Sequence, residues 1–234
     1  MPGQFVSVRV TDTVAPLLRR PFSIMDLGDR ELVLLVKAVG SGSSILARSS
    51  TGDSMDIAGP LGGAWFTPPE DGRAVFIAGG TGLAPMIFAV RRWKSEGVLG
   101  RSVLVYGARC EDELLLSLCE EDFDEVHGAT IDGSCGFRGD AVSLLAGLAD
   151  SGRAGGGTLY SCGPAGMVEA IERKAAGSFR AHYTSLESVM ACGVGACRGC
   201  TVPVREEGGT VLRAVCSDGT VFDASRIDWE RWTR

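Results

Sequence analysis

The sequence predicts a small antiparallel β-barrel, then a doubly wound α/β domain on a parallel sheet, then a small C-terminal metal-binding module. Three observations carry this. Short strand-like runs broken by Gly, Pro and Ser fill the first third. Strands that end in glycine-rich turns and run into helices fill the middle. Four cysteines, Cys192, Cys197, Cys200 and Cys216, follow with the spacing C-x4-C-x2-C-x15-C. Domains are expected at residues 1–68, 69–177 and 178–234.

The totals set the class. A chain of 234 residues with 45% hydrophobic and 22% charged residues has the length and composition of a globular protein with real cores. A net charge of −6 gives no electrostatic case for nucleic acid or an anionic membrane. No apolar run reaches the roughly 18 residues a spanning helix needs. The N-terminus also lacks a basic segment leading into an apolar one. A cytoplasmic location is expected, where the eight cysteines are thiols or metal ligands and not disulfides.

In the first third, Phe5 to Val10 alternate with period two, the mark of a half-buried strand. Glu31 to Val39 is apolar enough for a buried strand, and a helical turn is expected at Ser44 to Arg48. Such short strands, separated by turn residues, point to a small antiparallel barrel. Between them, Arg20-Pro21-Phe22-Ser23 resembles the flavin-binding motif of ferredoxin reductase-type proteins. Arginine offers a forked donor for pyrophosphate, and proline holds the chain extended. An ordinary Arg-Pro pair at a strand edge is the competing reading.

From Arg73 the pattern changes. Ala74 to Ala78 is a continuous apolar strand, followed by Gly79-Gly80-Thr81-Gly82 and a helix from Met86 through Trp93. This arrangement presents backbone N–H groups and a helix N-terminus to a pyrophosphate. Pro85 stands where a third fingerprint glycine would, and suits a first helical turn. A second unit runs from Ser102 to Tyr106 into a helix expected to carry Leu114 to Leu118 and a buried Cys119. A third strand, Gly157 to Ser161, runs into Cys162-Gly163-Pro164 and another helix. Repeated strand–helix alternation argues a parallel sheet; a ligand-free α/β domain is the alternative. Cys162 ends a strand at the sheet edge where a nicotinamide would lie, with a structural or a functional role.

The cysteine spacing opens as in plant-type ferredoxins, whose thiolates hold a 2Fe–2S cluster. Gly193, Gly195 and Gly199 fit a loop folded tightly round such a cluster. Zinc usually takes paired C-x2-C knuckles, and only one pair here has that spacing. Zinc and four unrelated buried thiols are the competing readings.

Together these motifs resemble the electron-transfer subunits of NAD-dependent dihydroorotate dehydrogenase, within the ferredoxin reductase superfamily. The likeness rests on Pro2-Gly3-Gln4-Phe5, Leu18 to Ile24, Gly59-Pro60-Leu61-Gly62, Ala78 to Pro85, Cys162-Gly163-Pro164 with Met167, Met190 to Cys197, and Val215 to Gly219. It implies a barrel binding FAD, an NAD(H) domain and a 2Fe–2S module. Flavin contacts carry over to Arg20, Pro21, Phe22 and Ser23, to Leu35-Val36-Lys37, and to Gly42-Ser43. Cluster ligands carry over to the four cysteines. Family members carry a further N-terminal segment, so the barrel is expected to lack its first strand.

Those cofactors set the reaction type. A nicotinamide gives two electrons as hydride, a 2Fe–2S cluster takes one, and flavin converts between them. The chain is therefore expected to relay electrons between NAD(H) and the FMN of a dihydroorotate dehydrogenase catalytic subunit, in pyrimidine synthesis. A heterotetramer of two subunits of each kind is implied by the resemblance. The redox alternatives are the reductase of an NAD(P)H–ferredoxin, sulfide dehydrogenase or hydrogenase system. The non-redox alternative is a zinc-stabilised regulatory module. His127 and His182 are expected at the surface, and Arg109 is the candidate for meeting a ribose phosphate.

Overall fold

The computed structural model describes residues 1–11 and 15–232. The first third forms β1 (Phe5–Arg9), β2 (Arg20–Leu27), β3 (Leu32–Leu34), α1 (Ser41–Leu46) and β4 (Asp56–Leu61). The four strands make an antiparallel sheet in the order β3–β2–β1–β4. The period-two pattern places Val6 and Val8 against Ile24. The other face of β1 is covered as well, with Phe5 in the core around Cys200 and Cys216 and Ser7 buried, so the strand expected to be half-buried is buried on both faces.

The middle contributes β5 (Arg73–Gly79), α2 (Leu83–Ser95), β6 (Arg101–Ala108), β7 (Glu125–Thr130), β8 (Phe137–Arg138), α3 (Ala141–Asp150), β9 (Thr158–Gly163), α4 (Ala165–Lys174) and β10 (Ala181–Leu186). Beyond it lie the hairpin β11 (Thr201–Glu206) and β12 (Gly209–Ala214), then β13 (Val221–Asp223). The large sheet has seven strands ordered β13–β10–β9–β5–β6–β7–β8, parallel except for β13 at its edge.

Side chains of β5 alternate between the two faces of this sheet. Phe76 and Ala78 pack under α2 with Met86, Ile87 and Trp93. Val75 and Ile77 pack under α3 and α4 with Leu145 and Ile171. Helices on both faces make the sheet doubly wound. Each large apolar side chain so buried stabilises the fold by roughly 1.5–3 kcal/mol. Phe88 of α2 turns the other way and completes the core of the small sheet, which fixes the two sheets against one helix.

Five further expectations change. The apolar run 31–39 yields only Leu32–Leu34, with Val33 exposed, because it pairs with β2 alone. The helical turn comes earlier, at Ser41–Leu46. Leu114 to Leu118 form no α-helix but lie in and between 3-10 turns at Glu111–Glu113 and Leu116–Leu118. Consecutive leucines have no 3.6-residue period, and Leu114 is extended, with φ −93° and ψ 90°. His182 is buried, on β10, and His127 is half-buried on β7. Last, β10 belongs to the large sheet, so a division at residue 177 would cut through it.

Candidate functional site

Strand order reverses between β5 and β9, and the crevice outside their C-terminal ends is the usual ligand position in such sheets. The two predicted loops meet there. Gly80 has a φ of +55° and lets the chain turn off β5. A Cβ on Gly82 would collide with the backbone carbonyl of Cys162. A Cβ on Gly79 would come within 3.0 Å of Met167 Sδ and 3.1 Å of Pro164. Gly163, with a φ of +157°, closes on the Gly79 backbone nitrogen. Neither α2 nor α4 is capped by a side chain, so the N–H groups of their first turns have no side-chain acceptor there. Cys162 is buried, and burial followed by the nearby Glu187 charge pushes its thiol well up. Burial therefore favours its neutral thiol over the nucleophilic thiolate.

Next to this crevice lies a cavity of about 500 Å³. Of the predicted flavin contacts, Arg20, Pro21, Phe22, Ser23, Leu35, Lys37, Gly42 and Ser43 line it, with Thr81 from the nucleotide loop. Val36 does not line it, and neither do Gly79, Gly80, Gly82, Cys162, Gly163 or Pro164. Arg20 donates to the Leu18 carbonyl at 2.5 Å and lies across Gly42, where a Cβ would come within 2.8 Å of Nε. The Ser43 hydroxyl accepts from Val39 and Gly40 N–H at 3.0 and 3.1 Å, which ties its own loop. Arg20 and Lys37 supply the positive charge a pyrophosphate needs.

Lys37 is also paired across the cavity's rim. Its Nζ lies 3.1 Å from Glu113 Oε1, and Glu113 holds Arg109 by a two-pronged salt bridge. The hydrogen bonds from Arg109 and Lys37 hold the Glu113 carboxyl down at about 2. Arg109 is thus engaged by a carboxylate, while its side chain remains 78% exposed.

The cysteine loop forms the third part. Cys200 and Cys216 are buried with Val202, Val204 and Ala214, whereas Cys192 is half-buried and Cys197 exposed. Backbone N–H groups point at sulfur: Gly195 at Cys216 (3.1 Å), Cys197 at Cys192 (3.4 Å) and Gly199 at Cys197 (3.4 Å). Those from Cys197 and Val194 pull the Cys192 thiol down to about 6, while desolvation pushes Cys216 up to about 11. Gly193 and Gly195 have φ of +72° and +81°, and a Cβ on Gly195 would meet Ser217 Oγ at 2.6 Å. Among the described residues no three metal-binding side chains meet at ligating distance, so the loop shows the donor order and not a closed coordination sphere. The donor set nonetheless fits an iron–sulfur cluster: four sulfurs with N–H groups directed at three of them.

Sequence reasoning missed part of the cavity wall: Ser185, Leu186, Glu187, Ser188, Met190 and Thr220. The first five lie at or just beyond the end of β10. Reading 181–186 as a parallel strand would have found them, since ligands gather at strand C-termini.

Two family models match parts of the chain. The iron–sulfur cluster binding domain of dihydroorotate dehydrogenase B matches residues 187–228, and the oxidoreductase NAD-binding domain matches 76–135. The electron transfer subunit of dihydroorotate dehydrogenase B (NAD(+)) from Desulforamulus reducens is 35% identical over 237 residues, covering 98% of this chain and 87% of that one. The subunit of the same name from Bacillus mycoides is 34% identical, covering 97% of this chain and 86% of its own length. Among solved structures, an NADH-dependent reduced ferredoxin–NADP oxidoreductase, described for flavin-based electron bifurcation, superposes with a TM-score of 0.80. It is 26% identical and covers 98% of this chain and 80% of that one.

Proposed function

The chain belongs to the family of dihydroorotate dehydrogenase B electron-transfer subunits, and on that premise we propose that it relays electrons between NAD(H) and the FMN of a catalytic partner subunit. FAD and a 2Fe–2S cluster form the path, in the synthesis of pyrimidines. When bound, the flavin supplies the exchange between hydride and single-electron chemistry, and the cluster supplies the one-electron exit.

One observation carries this reading. A single cavity draws its wall from all three parts: Arg20 of β2, Thr81 of the nucleotide loop, and Met190, two residues before Cys192. Arg20 and Lys37 would hold a pyrophosphate, and Gly42 gives Arg20 its path. The Gly79–Gly82 and Cys162–Pro164 loops would seat the nicotinamide nucleotide beside it. Cys192, Cys197, Cys200 and Cys216 would ligate the cluster. Cys200 and Cys216 are buried and would anchor it, while Cys197 is exposed. We assign residues 1–68 to the flavin barrel, residues 69–186 to the nucleotide domain, whose sheet is completed at its edge by β13, and the rest of 187–234 to the cluster module. The wider nucleotide domain is supported by the pairing of β10 with β9. A cytoplasmic complex of two subunits of each kind fits this reading, and among the described residues no helix is long and apolar enough to cross a membrane.

Anaerobic co-expression with a dihydroorotate-oxidising flavoprotein tests it. The complex should couple dihydroorotate oxidation to NAD⁺ reduction, and neither subunit should do so alone. The likeness to an NADH-dependent ferredoxin–NADP oxidoreductase favours a second reading, with ferredoxin as acceptor. Ferredoxin reduction without dihydroorotate coupling would select it.

A further inference from the structure

Among the described residues, Arg198 is the one residue other than glycine with a left-handed backbone, at a φ of +58°. A side chain is strained in that region, and glycine is its usual occupant. The rest of the cysteine loop follows the rule, since its other left-handed positions are Gly193 and Gly195. Arg198 stands between two of the candidate ligands, Cys197 and Cys200. A strained arginine kept where glycine would cost nothing points to a role for its side chain.

That side chain is 55% exposed, yet it is tethered at both ends of its fork. Nη2 donates to the Leu212 carbonyl on β12 at 2.8 Å, and Nη1 lies 3.9 Å from Asp218 Oδ2. The cation is thus laid between the segment of Cys197 and Cys200 and the segment that follows Cys216. Few other charges are near. Within three residues of any of the four cysteines, the charged side chains are Arg198, Arg213 and Asp218. Arg213 is matched by Glu206 across the hairpin, at 2.8 and 2.7 Å. Asp218 Oδ2 accepts from the Ala214 N–H at 2.8 Å. Its separation from Arg198 is longer than a hydrogen bond, so the arginine's charge is matched only in part.

Four thiolates make an iron–sulfur cluster anionic, and net charge is one of the properties that set its potential. Each electron gained adds negative charge, so a fixed cation beside the ligands favours the reduced form and a carboxylate opposes it. We propose that Arg198 is the residue that raises the potential of the cluster so that it accepts single electrons from the flavin, with Asp218 as the opposing charge. Arg198 touches no reacting atom and acts through the field at the ligands. One electron arrives and one leaves, and no bond forms or breaks. The inference rests on the relay reading above and on its four cysteine ligands.

A redox titration of the full chain, purified anaerobically and followed by electron paramagnetic resonance, tests it without turnover. Arg198→Gln removes the charge, Arg198→Gly removes the charge and the strain together, and Arg198→Lys keeps the charge. The Gln and Gly variants should each shift the electron equilibrium away from the cluster about tenfold, or about 59 mV for one electron. Arg198→Lys should stay within about twofold of the unmodified chain. Asp218→Asn should shift the equilibrium toward the cluster. Visible absorption per chain establishes that each variant is loaded. An unchanged potential in both Arg198→Gln and Arg198→Gly overturns the proposal alone. So does loss of the cluster in both, which would make the side chain structural. An equal shift in Arg198→Lys and Arg198→Gln overturns it too, because geometry and not charge would then set the potential. An unmodified chain that binds no iron overturns the relay reading and the proposal with it.

Discussion

Gly82 stands directly against the carbonyl oxygen of Cys162, and this contact locks the loop after β5 to the loop after β9. No side chain fits between them. Gly82→Ala would drive a methyl group into backbone that cannot rotate away, at a cost of about 1–3 kcal/mol. The expected outcome is a lowered thermal midpoint together with a raised KM for NADH. Calorimetry and NADH-driven flavin bleaching check the two effects separately.

Arg20 and Gly42 are related in the same way, but the neighbour here is a side chain. Gly42→Ala should therefore leave the fold intact and displace the guanidinium. Loss of a charge-assisted hydrogen bond to pyrophosphate is worth about 1.5–3 kcal/mol, or roughly a tenfold to hundredfold weaker flavin Kd. Arg20→Lys should weaken binding too, because an ammonium cannot reproduce the fork. Fluorescence titration of the apo chain with FAD measures both.

The buried histidine makes a prediction about stability and not about chemistry. His182 Nε2 lies 2.7 Å from Ser161 Oγ and Nδ1 lies 2.5 Å from Glu172 Oε1, which joins β9, β10 and α4. The arrangement resembles a hydrolytic triad in order only. Ser161 is fully buried and does not line the cavity described above. His182→Ala would leave Ser161 without its hydrogen-bond partner inside the core and cost about 1–3 kcal/mol. Urea denaturation should show this loss, and esterase assays on the unmodified chain should show no activity.

These three sites differ in how far the sequence exposes them. The interlocked loops were readable because glycine and proline mark the ends of β5 and β9. Arg20 stood out by its motif as a candidate flavin contact, though its passage over Gly42 did not. The His182 network was not readable, since its partners lie 10 and 21 residues away and meet only once α4 packs on the sheet. Helix α3 passed unread although Asp140 accepts from Ser143 N–H at 2.9 Å, a cap its sequence spells out. The leucines 114–118 misled in the other direction: hydrophobicity without period gives burial, not helix. In the cysteine loop, spacing marks four candidate donors, and no local signal marks which of them are buried.

Glu113 gives a prediction in pH. Arg109 and Lys37 hold its folded pKa at about 2, below the ordinary 4.5. A carboxylate with a depressed folded pKa contributes stability that is present above its unfolded value and lost as pH falls toward the folded one. The apo chain and its Glu113→Gln variant should therefore differ by a constant amount above about pH 5.5 and converge as pH falls to about 2. Arg109 and Lys37 are exposed and Glu113 only half-buried, so added salt should shrink the difference. Glu113→Gln should also free Arg109 and raise the affinity for NADPH relative to NADH.

Electron paramagnetic resonance of the anaerobically purified chain after NADH addition tests the relay most directly. The account predicts that the flavin bleaches and a reduced 2Fe–2S signal appears, and that Cys197→Ser keeps the bleaching and loses the signal. A chain that binds zinc in place of iron, or whose Cys197→Ser variant still shows the reduced-cluster signal, would contradict it.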